Sequence, residues 1–234
     1  MSRLRISETF TSVQGEGQWL GVPSHFIRLS GCNLRCVWCD TPYASWNPEG
    51  PMREIAELAD EAAASGVNHV VITGGEPLLF DGVTELTARI ESQGQTITIE
   101  TAGTVYQSVA CHLISLSPKL SHSAPPADTP GGWRERHEAT RQNIEVMSRL
   151  ITEFPHQLKF VVDPTGSGDD LKEIDELLAL LPPVSPEKIH LMAEGRDAET
   201  LHRRERMLVP ECLKRGWRLT PRYQIDLFGD TKGT

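Results

Sequence analysis

The chain alternates short runs of apolar, often β-branched residues with longer stretches in which apolar residues recur at helical spacing. Residues 54–64 carry apolar side chains at positions 55, 58, 59, 62 and 63, which predicts an amphipathic helix that ends before Gly66. Residues 69–72 form a short run that ends at Gly74 and Gly75, a pattern typical of a buried strand. The same two patterns recur along the rest of the chain.

Together these patterns predict alternating strands and helices. Strands are predicted at residues 3–9, 25–29, 69–72, 96–99, 113–116, 158–162 and 188–192, and a last extended stretch begins at Trp217. Helices are predicted at residues 54–64, 83–92, 138–151, 171–181 and 198–215, with a polar, proline-rich loop over residues 117–133. The alternation predicts βα units around a parallel sheet. The six strands between residues 25 and 192 are too few for a closed eight-stranded barrel, so we expect an α/β partial barrel or open sheet.

Length and charge limit the possible classes of function. The 234 residues show no internal repeat and no linker, so we expect a single domain over residues 1–234. Asp and Glu number 32 against 23 Lys and Arg, and the net charge of −9 repels phosphate backbones, so we expect no nucleic-acid partner. No apolar run approaches the roughly 20 residues of a membrane span, and no secretory signal is evident. We therefore expect a cytoplasmic protein with no membrane partner.

Three of the five cysteines are grouped: Cys32, Cys36 and Cys39 have the spacing C-x3-C-x2-C. Iron–sulfur clusters are held by cysteine thiolates, and three thiolates would leave one iron of a 4Fe–4S cluster open to an outside ligand. A zinc site completed by His25 or Asp40 is an alternative, as are unrelated buried thiols. The isolated cysteines, at positions 111 and 212, are expected to be packing residues.

The cysteine spacing, with Trp38 just before the third cysteine, resembles the signature of the radical S-adenosylmethionine (SAM) superfamily. The sequence Thr73-Gly74-Gly75-Glu76-Pro77 follows a predicted strand and is similar to the GGEP loop of that superfamily, although alone it would predict only a turn. The resemblance implies a partial (β/α)6 TIM-like barrel. It also implies that SAM binds the open iron and is split by one electron into methionine and a 5′-deoxyadenosyl radical.

A longer resemblance is to the 7-carboxy-7-deazaguanine synthase family. It begins with SVQGEG at residues 12–17 and extends through the cysteines to residue 44, with further matches at 100–104, 117–119, 157–161 and 221–233. It implies a carbon–nitrogen lyase that converts 6-carboxy-5,6,7,8-tetrahydropterin to 7-carboxy-7-deazaguanine and releases ammonia, in queuosine and 7-deazapurine biosynthesis. It also implies Mg²⁺, a homodimer, and flavodoxin or ferredoxin as the electron donor.

The same resemblance assigns the candidate site residues. Those implied to bind substrate are Val13, Gln14, Gly15, Glu16, Arg28, Thr73 and Glu100. Those implied to bind SAM are Trp38, Cys39, Asp40, Gly75, Glu76, Ser117, Pro118, Lys119 and Lys159, and the hydroxyl of Thr41 is implied to approach Mg²⁺.

Each of four assignments keeps a structural alternative. Arg28 could form a surface salt bridge, Glu100 could cap a turn, Lys159 could pack its stem in the core, and Thr41 could satisfy loop backbone groups. Gln224 stands about where many members of the family have a histidine, and glutamine cannot titrate near neutral pH, so we assign it no catalytic role.

The remaining predictions concern histidines and other classes of protein. We expect surface or packing roles for five histidines, at positions 112, 122, 137, 190 and 202. A glycyl-radical activase shares the cysteine spacing, but the VQGEG segment and Arg28 argue against it. An iron–sulfur redox sensor and a zinc-stabilised binding module are the alternatives that are not enzymes.

Overall fold

The computed structural model describes residues 2–166 and 169–234, so Met1, Ser167 and Gly168 of the predicted single domain lie outside the described residues. The strands are β1 (Arg3–Val13), β2 (Pro23–Leu29), β3 (Met52–Glu54), β4 (His69–Gly74), β5 (Thr96–Thr101), β6 (Leu113–Leu116), β7 (His156–Val162), β8 (Ile189–Ala193) and β9 (Arg218–Leu219). The helices are α1 (Ile55–Ala64), α2 (Gly82–Ser92), α3 (Trp133–Thr140), α4 (Ile144–Glu153), α5 (Asp170–Leu180), α6 (Ala198–Arg215) and α7 (Tyr223–Phe228).

One sheet contains all of these strands, in the order β3-β1-β2-β4-β5-β6-β7-β8-β9. From β2 to β9 each neighbouring pair is parallel, whereas β1 is antiparallel to both β2 and β3. The six strands predicted between residues 25 and 192 are all present as parallel strands. The predicted α/β partial barrel is therefore confirmed.

The main hydrophobic core lies between the sheet and its helices. On β7, Leu158, Phe160 and Val162 are buried in this core, while Gln157, which donates to Ser115, and Lys159 lie on the opposite, inner face. The helices cover the outer face with apolar stripes, such as Ile55, Leu58, Ala59 and Ala62 of α1. This alternation follows from the two-residue period of a strand, and it leaves the inner face free for polar side chains.

Three local predictions are corrected by the structure. The single helix predicted at residues 138–151 is two helices, because α3 ends at Thr140 and α4 begins only after Asn143. The Asn143 backbone is extended, and its side chain accepts from the Val146 amide at 3.2 Å and so caps the new helix. The stretch after Trp217 is not wholly extended, since it contains α7. The strand predicted at residues 3–9 continues to Val13, paired with Pro23 of β2.

Among the described residues, none of the helices combines the length and the apolar character needed to cross a membrane.

Candidate active site

A cavity of about 430 Å³ opens at the carboxyl ends of the parallel strands. Arg28 of β2, Thr73 of β4, Glu100 of β5, Lys159 of β7 and Met192 of β8 all line it. The carboxyl ends of parallel strands meet at one rim, so residues far apart in the sequence face the same space.

The three grouped cysteines lie on one wall of this cavity, in the loop of residues 30–51 between β2 and β3, here called the cysteine loop. Cys36 is buried against Leu34 and Ala102, and burial raises the pKa of Cys32 and of Cys36 to about 12. Among the described residues, no three His, Cys, Asp or Glu side chains are grouped so that they could hold one metal ion. A cluster does not require such convergence, since each of its irons takes its own thiolate.

Glycine at position 75 allows the loop after β4 to pack directly on the cysteine loop. A Cβ atom built on Gly75 would stand 2.1 Å from the Gly31 carbonyl oxygen and 2.7 Å from that of Ala44. The amide of Glu76 donates to the Gly31 carbonyl at 2.9 Å, and the amide of Gly31 donates to that of Ala44 at 2.8 Å. The two loops are therefore fastened together through their backbones, and a side chain at position 75 would separate them.

Glu76 lies behind this loop and does not line the cavity. Its carboxylate accepts from the Leu78 amide at 3.1 Å, the Thr101 hydroxyl at 2.7 Å and the Ala102 amide at 2.9 Å. Burial raises the pKa of Glu76, while these hydrogen bonds and Lys119 act in the opposite direction. Its contacts join the end of β5 to the loop after β4, so it orders the wall of the cavity from outside.

Trp38 stands on the same wall as the cysteines, between two side chains of the neighbouring loop. Its ring stacks on His122 with centroids 5.6 Å apart, and the Lys119 ammonium lies 5.7 Å from the ring. Lys119 itself donates to the carbonyl of Ser117 at 2.9 Å and to its hydroxyl at 2.7 Å. These contacts hold a flat aromatic surface beside Cys39.

A second wall of the cavity carries a buried ion-pair network centred on Glu16. Its carboxylate pairs with Lys159 and with Arg222 at 3.5 Å, and it accepts from Gln224 at 2.8 Å. Burial alone would raise the pKa of Glu16, but Lys159 and Arg222 outweigh burial and lower it to about 2. Glu16 is therefore a carboxylate at any working pH and can accept hydrogen bonds but not donate a proton.

A second carboxylate, Glu100, is oriented by the residues around it. Gln14 donates to one oxygen at 3.2 Å and the Thr73 hydroxyl donates to the other at 2.8 Å. The Gln14 carbonyl oxygen in turn accepts from the Glu16 amide at 3.0 Å. Segment 13–17, here called the substrate segment, is thus tied to β4 and β5.

Arg28 presents a partly free guanidinium to the cavity. Its Nε donates to Glu8 at 2.7 Å, and Tyr43 donates to the same carboxylate at 2.9 Å. Its two terminal nitrogens make no hydrogen bond to any residue that the structure describes. Two parallel N–H groups of this kind suit a carboxylate, which guanidinium binds through two hydrogen bonds.

Comparison with known proteins agrees with this geometry. The model of the radical SAM superfamily matches residues 26–181. The 7-carboxy-7-deazaguanine synthase of Rhodopirellula baltica is 47% identical over 234 residues, which cover 100% of this chain and 90% of that protein. The chain belongs to the 7-carboxy-7-deazaguanine synthase family.

Other members of the 7-carboxy-7-deazaguanine synthase family are similar over nearly their whole length. The synthase of Halobacterium salinarum is 38% identical over 242 residues, covering 99% of this chain and 93% of that protein. The crystal structure of QueE from Escherichia coli superposes with a TM-score of 0.68 at 29% identity, covering 94% and 93% of the two chains. Membership in a radical SAM family implies a 4Fe–4S cluster and SAM as cofactors, which the grouped thiols fit.

The cavity brings together nearly all the residues that the family resemblance assigns. All seven of the predicted substrate residues line it, as do Thr41 and the three cysteines. Among the predicted SAM residues only Glu76 and Pro118 do not line it. The ammonium of Lys159, a predicted SAM residue, pairs with Glu16, a predicted substrate residue.

The surroundings of Arg28 and of two histidines can also be compared with the predictions. Arg28 does form a salt bridge, to Glu8, but within the cavity wall rather than on the surface, with both side chains mostly buried. His137 is fully buried and accepts from the Arg35 amide at 3.1 Å, so it is a packing residue as predicted. His122 has a more specific place, since it stacks behind Trp38.

Sequence reasoning missed two parts of the site near the C-terminal end. Arg222 is buried between Glu16 and Asp40, and no local pattern distinguishes it from an exposed arginine. Residues 229–234 border the cavity, where Lys232 donates to Glu49 at 2.8 Å and lies 4.2 Å from the Tyr43 ring. The match of residues 221–233 to the family was the one signal that pointed to this region.

Proposed function

We propose that this chain is a carbon–nitrogen lyase of 7-deazapurine and queuosine biosynthesis that converts 6-carboxy-5,6,7,8-tetrahydropterin to 7-carboxy-7-deazaguanine and releases ammonia. The observation that supports this most directly is the composition of one cavity. Three thiols with cluster spacing occupy one wall, and two oriented carboxylates with a partly free guanidinium occupy the other. The names of the similar synthases agree with this assignment.

The cysteine wall is the proposed cofactor side. Cys32, Cys36 and Cys39 would hold the cluster, and the residues that would contact SAM are Trp38, Asp40, Gly75, Ser117 and Lys119. When bound, the cofactors supply the one-electron cleavage of SAM that produces a radical able to remove the hydrogen at C6 of the pterin. The protein would orient the cluster and SAM. Trp38 offers a flat surface beside Cys39, and Gly75 lets the loop after β4 pack closely on the cysteine loop.

The carboxylate wall is the proposed substrate side. The guanidine-like edge of a pterin carries N–H donors, and Glu16 and Glu100 are acceptors aimed into the cavity. The low pKa of Glu16 keeps it an acceptor throughout. Arg28 would bind the 6-carboxylate through its two terminal nitrogens. Substrate would then lie between the two walls, with its reacting carbon facing the cofactor side.

Magnesium is proposed at Thr41. Its hydroxyl lines the cavity, and its one hydrogen-bond partner among the described residues is the Cys39 sulfur at 3.8 Å. Mg²⁺ prefers oxygen ligands and retains several waters, so one hydroxyl together with the substrate carboxylate is a suitable set. We also propose, from family resemblance, a cytoplasmic homodimer of single-domain chains that takes electrons from flavodoxin or ferredoxin.

The function is tested with protein reconstituted anaerobically with iron and sulfide. Incubation with the carboxylated tetrahydropterin, SAM, Mg²⁺ and a reductant should yield ammonia and 7-carboxy-7-deazaguanine in equal amounts, identified by mass spectrometry. A protein that binds the cluster and cleaves SAM but leaves the pterin unchanged would contradict the proposal.

The role of Arg28 is tested by calorimetric titration of the pterin. Arg28→Gln should weaken binding of the carboxylated pterin about 10- to 100-fold, because a hydrogen bond to a charged group contributes about 1.5–3 kcal/mol. The analogue without the carboxylate should bind wild type and variant equally weakly. Arg53→Gln, which removes an arginine paired with Glu61 outside the cavity, is the matched control. An equal loss for both ligands would mean that Arg28 does not bind the carboxylate.

A further inference from the structure

We propose that Arg222 is a positioning residue that fixes the substrate segment relative to the cysteine loop and so couples radical formation to reaction of the pterin. This inference rests on the proposed function. It concerns a residue that touches neither the cysteines nor the outer core, but lies between the two walls of the cavity.

The guanidinium of Arg222 contacts three separate segments of the chain. Nη2 donates to the Asp40 carboxylate, Nη1 donates to the Gly195 carbonyl at 2.7 Å, and Nε donates to Glu16 at 3.5 Å. Asp40 directly follows Cys39, and Gly195 belongs to the loop after β8. One planar group with donors on several edges can make all three contacts at once, which a lysine ammonium cannot do with the same geometry.

The segment that carries Arg222 is itself fastened to the substrate segment. The Tyr223 amide donates to the Gly15 carbonyl at 3.0 Å, and the Gly17 amide donates to the Thr220 hydroxyl at 2.7 Å. These bonds make residues 220–224 and the substrate segment one unit. The bond from Arg222 to Asp40 then joins this unit to the loop that carries the cysteines.

The charges of the four groups are balanced. Glu16 and Asp40 carry two negative charges, and Lys159 and Arg222 carry two positive charges. Removing Arg222 would leave Glu16 paired with Lys159 and would leave Asp40 without an ion pair to any described residue. Asp40 is 42% exposed on its side chain, so it could turn to water, whereas Glu16 would stay with Lys159. The two walls would then lose a direct link while each wall kept its own contacts.

Loss of this contact should affect the transfer of the radical from SAM to the pterin more than it affects SAM cleavage or pterin binding taken separately. Transfer of an atom between two bound molecules requires the reacting atoms to lie about 3–3.5 Å apart, and a misplacement of about 1 Å can reduce the rate about 100-fold. Without Arg222, SAM is still cleaved, but the radical meets a displaced pterin. In the proposed reaction SAM is re-formed in each cycle, so accumulation of 5′-deoxyadenosine reports every uncoupled event.

The test compares Arg222→Gln with wild type under anaerobic conditions, measuring both 5′-deoxyadenosine and 7-carboxy-7-deazaguanine. We expect the ratio of the first to the second to rise at least about tenfold in the variant. Arg218→Gln, an exposed arginine on β9, is the matched control and should keep the wild-type ratio. A merely structural defect would lower both products together and leave the ratio unchanged, which would overturn the inference.

A second measurement uses cluster-free protein and needs no activity. The shifts in melting temperature of Arg222→Gln and Asp40→Asn should not add up in the double variant. Either single substitution already breaks the contact between the two side chains, so the second one has less left to remove. Additive shifts would overturn the contact on which the inference depends. If Arg222→Gln does not fold, Arg222→Lys takes its place: it keeps the charge and should show a smaller but clear rise in the ratio, and a wild-type ratio would overturn the inference. Wild type that forms no 7-carboxy-7-deazaguanine would instead contradict the proposed function itself.

Discussion

The outer face of the parallel sheet is apolar, whereas the inner face of the same strands carries many polar side chains. On β7 and β8 the outward residues include Leu158, Phe160 and Leu191, whereas the inward residues include Lys159 and His190. The outer face removes apolar surface from water, and each fully buried aliphatic or aromatic side chain there contributes about 1.5–3 kcal/mol. The inner face contributes little of this kind, so its residues are free to be chosen for chemistry.

Polar residues on the inner face are tolerated because most of them are paired. Gln157 accepts from the Gln18 amide at 2.8 Å and donates to Ser115 at 2.9 Å. His69 lies between the hydroxyls of Ser24 at 2.7 Å and Thr98 at 2.8 Å. A buried polar group with a partner costs little, whereas one without a partner costs about 1–3 kcal/mol. Stability therefore depends mainly on the outer face and activity on the inner face and its rim.

The largest expected effect is on the rim. Cys36→Ala should abolish SAM cleavage entirely, because two thiols cannot hold a cluster whose remaining corner must stay open. The fold should persist, since Cys36 packs only in a small cluster with Leu34 and Ala102, apart from the main core. Iron analysis measures how much cluster is bound, formation of 5′-deoxyadenosine measures SAM cleavage, and circular dichroism measures whether the fold persists.

Cys111→Ala is the control for Cys36→Ala, because Cys111 packs against the main core and does not line the cavity. It should keep full iron content and SAM cleavage. Cleavage retained by Cys36→Ala would contradict the assignment of the cysteine loop as the cluster site.

Two adjacent valines on β7, Val161 and Val162, allow a direct comparison of how much each face contributes to the free energy of unfolding. Val162 is 1% exposed in the outer core, while Val161 borders the cavity on the inner face. Val162→Ala should lower the free energy of unfolding by about 2–3 kcal/mol, because the deleted methyl groups leave a void in close-packed surroundings. Val161→Ala should cost about 1 kcal/mol or less, since it enlarges a cavity that is already present. Urea unfolding of both variants measures the difference.

Equal losses in the two valine variants would show that the inner face contributes to stability as the outer face does. The comparison between the faces would then no longer hold at β7. Activity per folded molecule gives a second check: it should be unchanged in Val162→Ala.

The sequence alone predicted the outer face better than the inner one. Strand and helix periods are local patterns, so α1 and β4 could be predicted from neighbouring residues, and their alternation predicted a parallel sheet. The cysteine loop and the substrate segment were also local motifs. What could not be read is pairing at long range: Asp40 and Arg222 are 182 residues apart, and only the folded chain brings them together.

Side-chain hydrogen bonds are a second feature that the sequence does not reveal. The carboxylate of Glu76 accepts from Thr101 and Ala102 at the end of a different strand, while its contact with SAM stays a prediction. The helix predicted at residues 138–151 ignored Asn143, whose side chain competes for a backbone amide and starts α4. At Asn143 a side-chain hydrogen bond overrode a pattern of apolar spacing.

The smallest predicted effect concerns His190, an inner-face residue that tests how polar that face must be. Neither ring nitrogen of His190 has a hydrogen-bond partner among the described residues, and the side chain is buried. Burial lowers the pKa of His190 to about 4, with a smaller contribution from Arg218 and Lys159. Because this pKa lies below the ordinary value of 6.5, folding favours the neutral ring. Its contribution to stability is complete above pH 6.5 and is lost as the pH falls through 4.

His190→Leu removes this titrating group and the unpartnered polar atoms with it. The variant should be at least as stable as wild type at pH 7, and its advantage should grow by about 1–2 kcal/mol at pH 5, since only wild type then has a histidine that resists protonation when folded. Urea unfolding at the two pH values measures the difference. Two results would contradict this prediction: a pH dependence equal to that of wild type, or a marked loss of stability at pH 7. Either would mean that His190 makes an interaction that the inner face requires, so that substitutions on this face do lower stability.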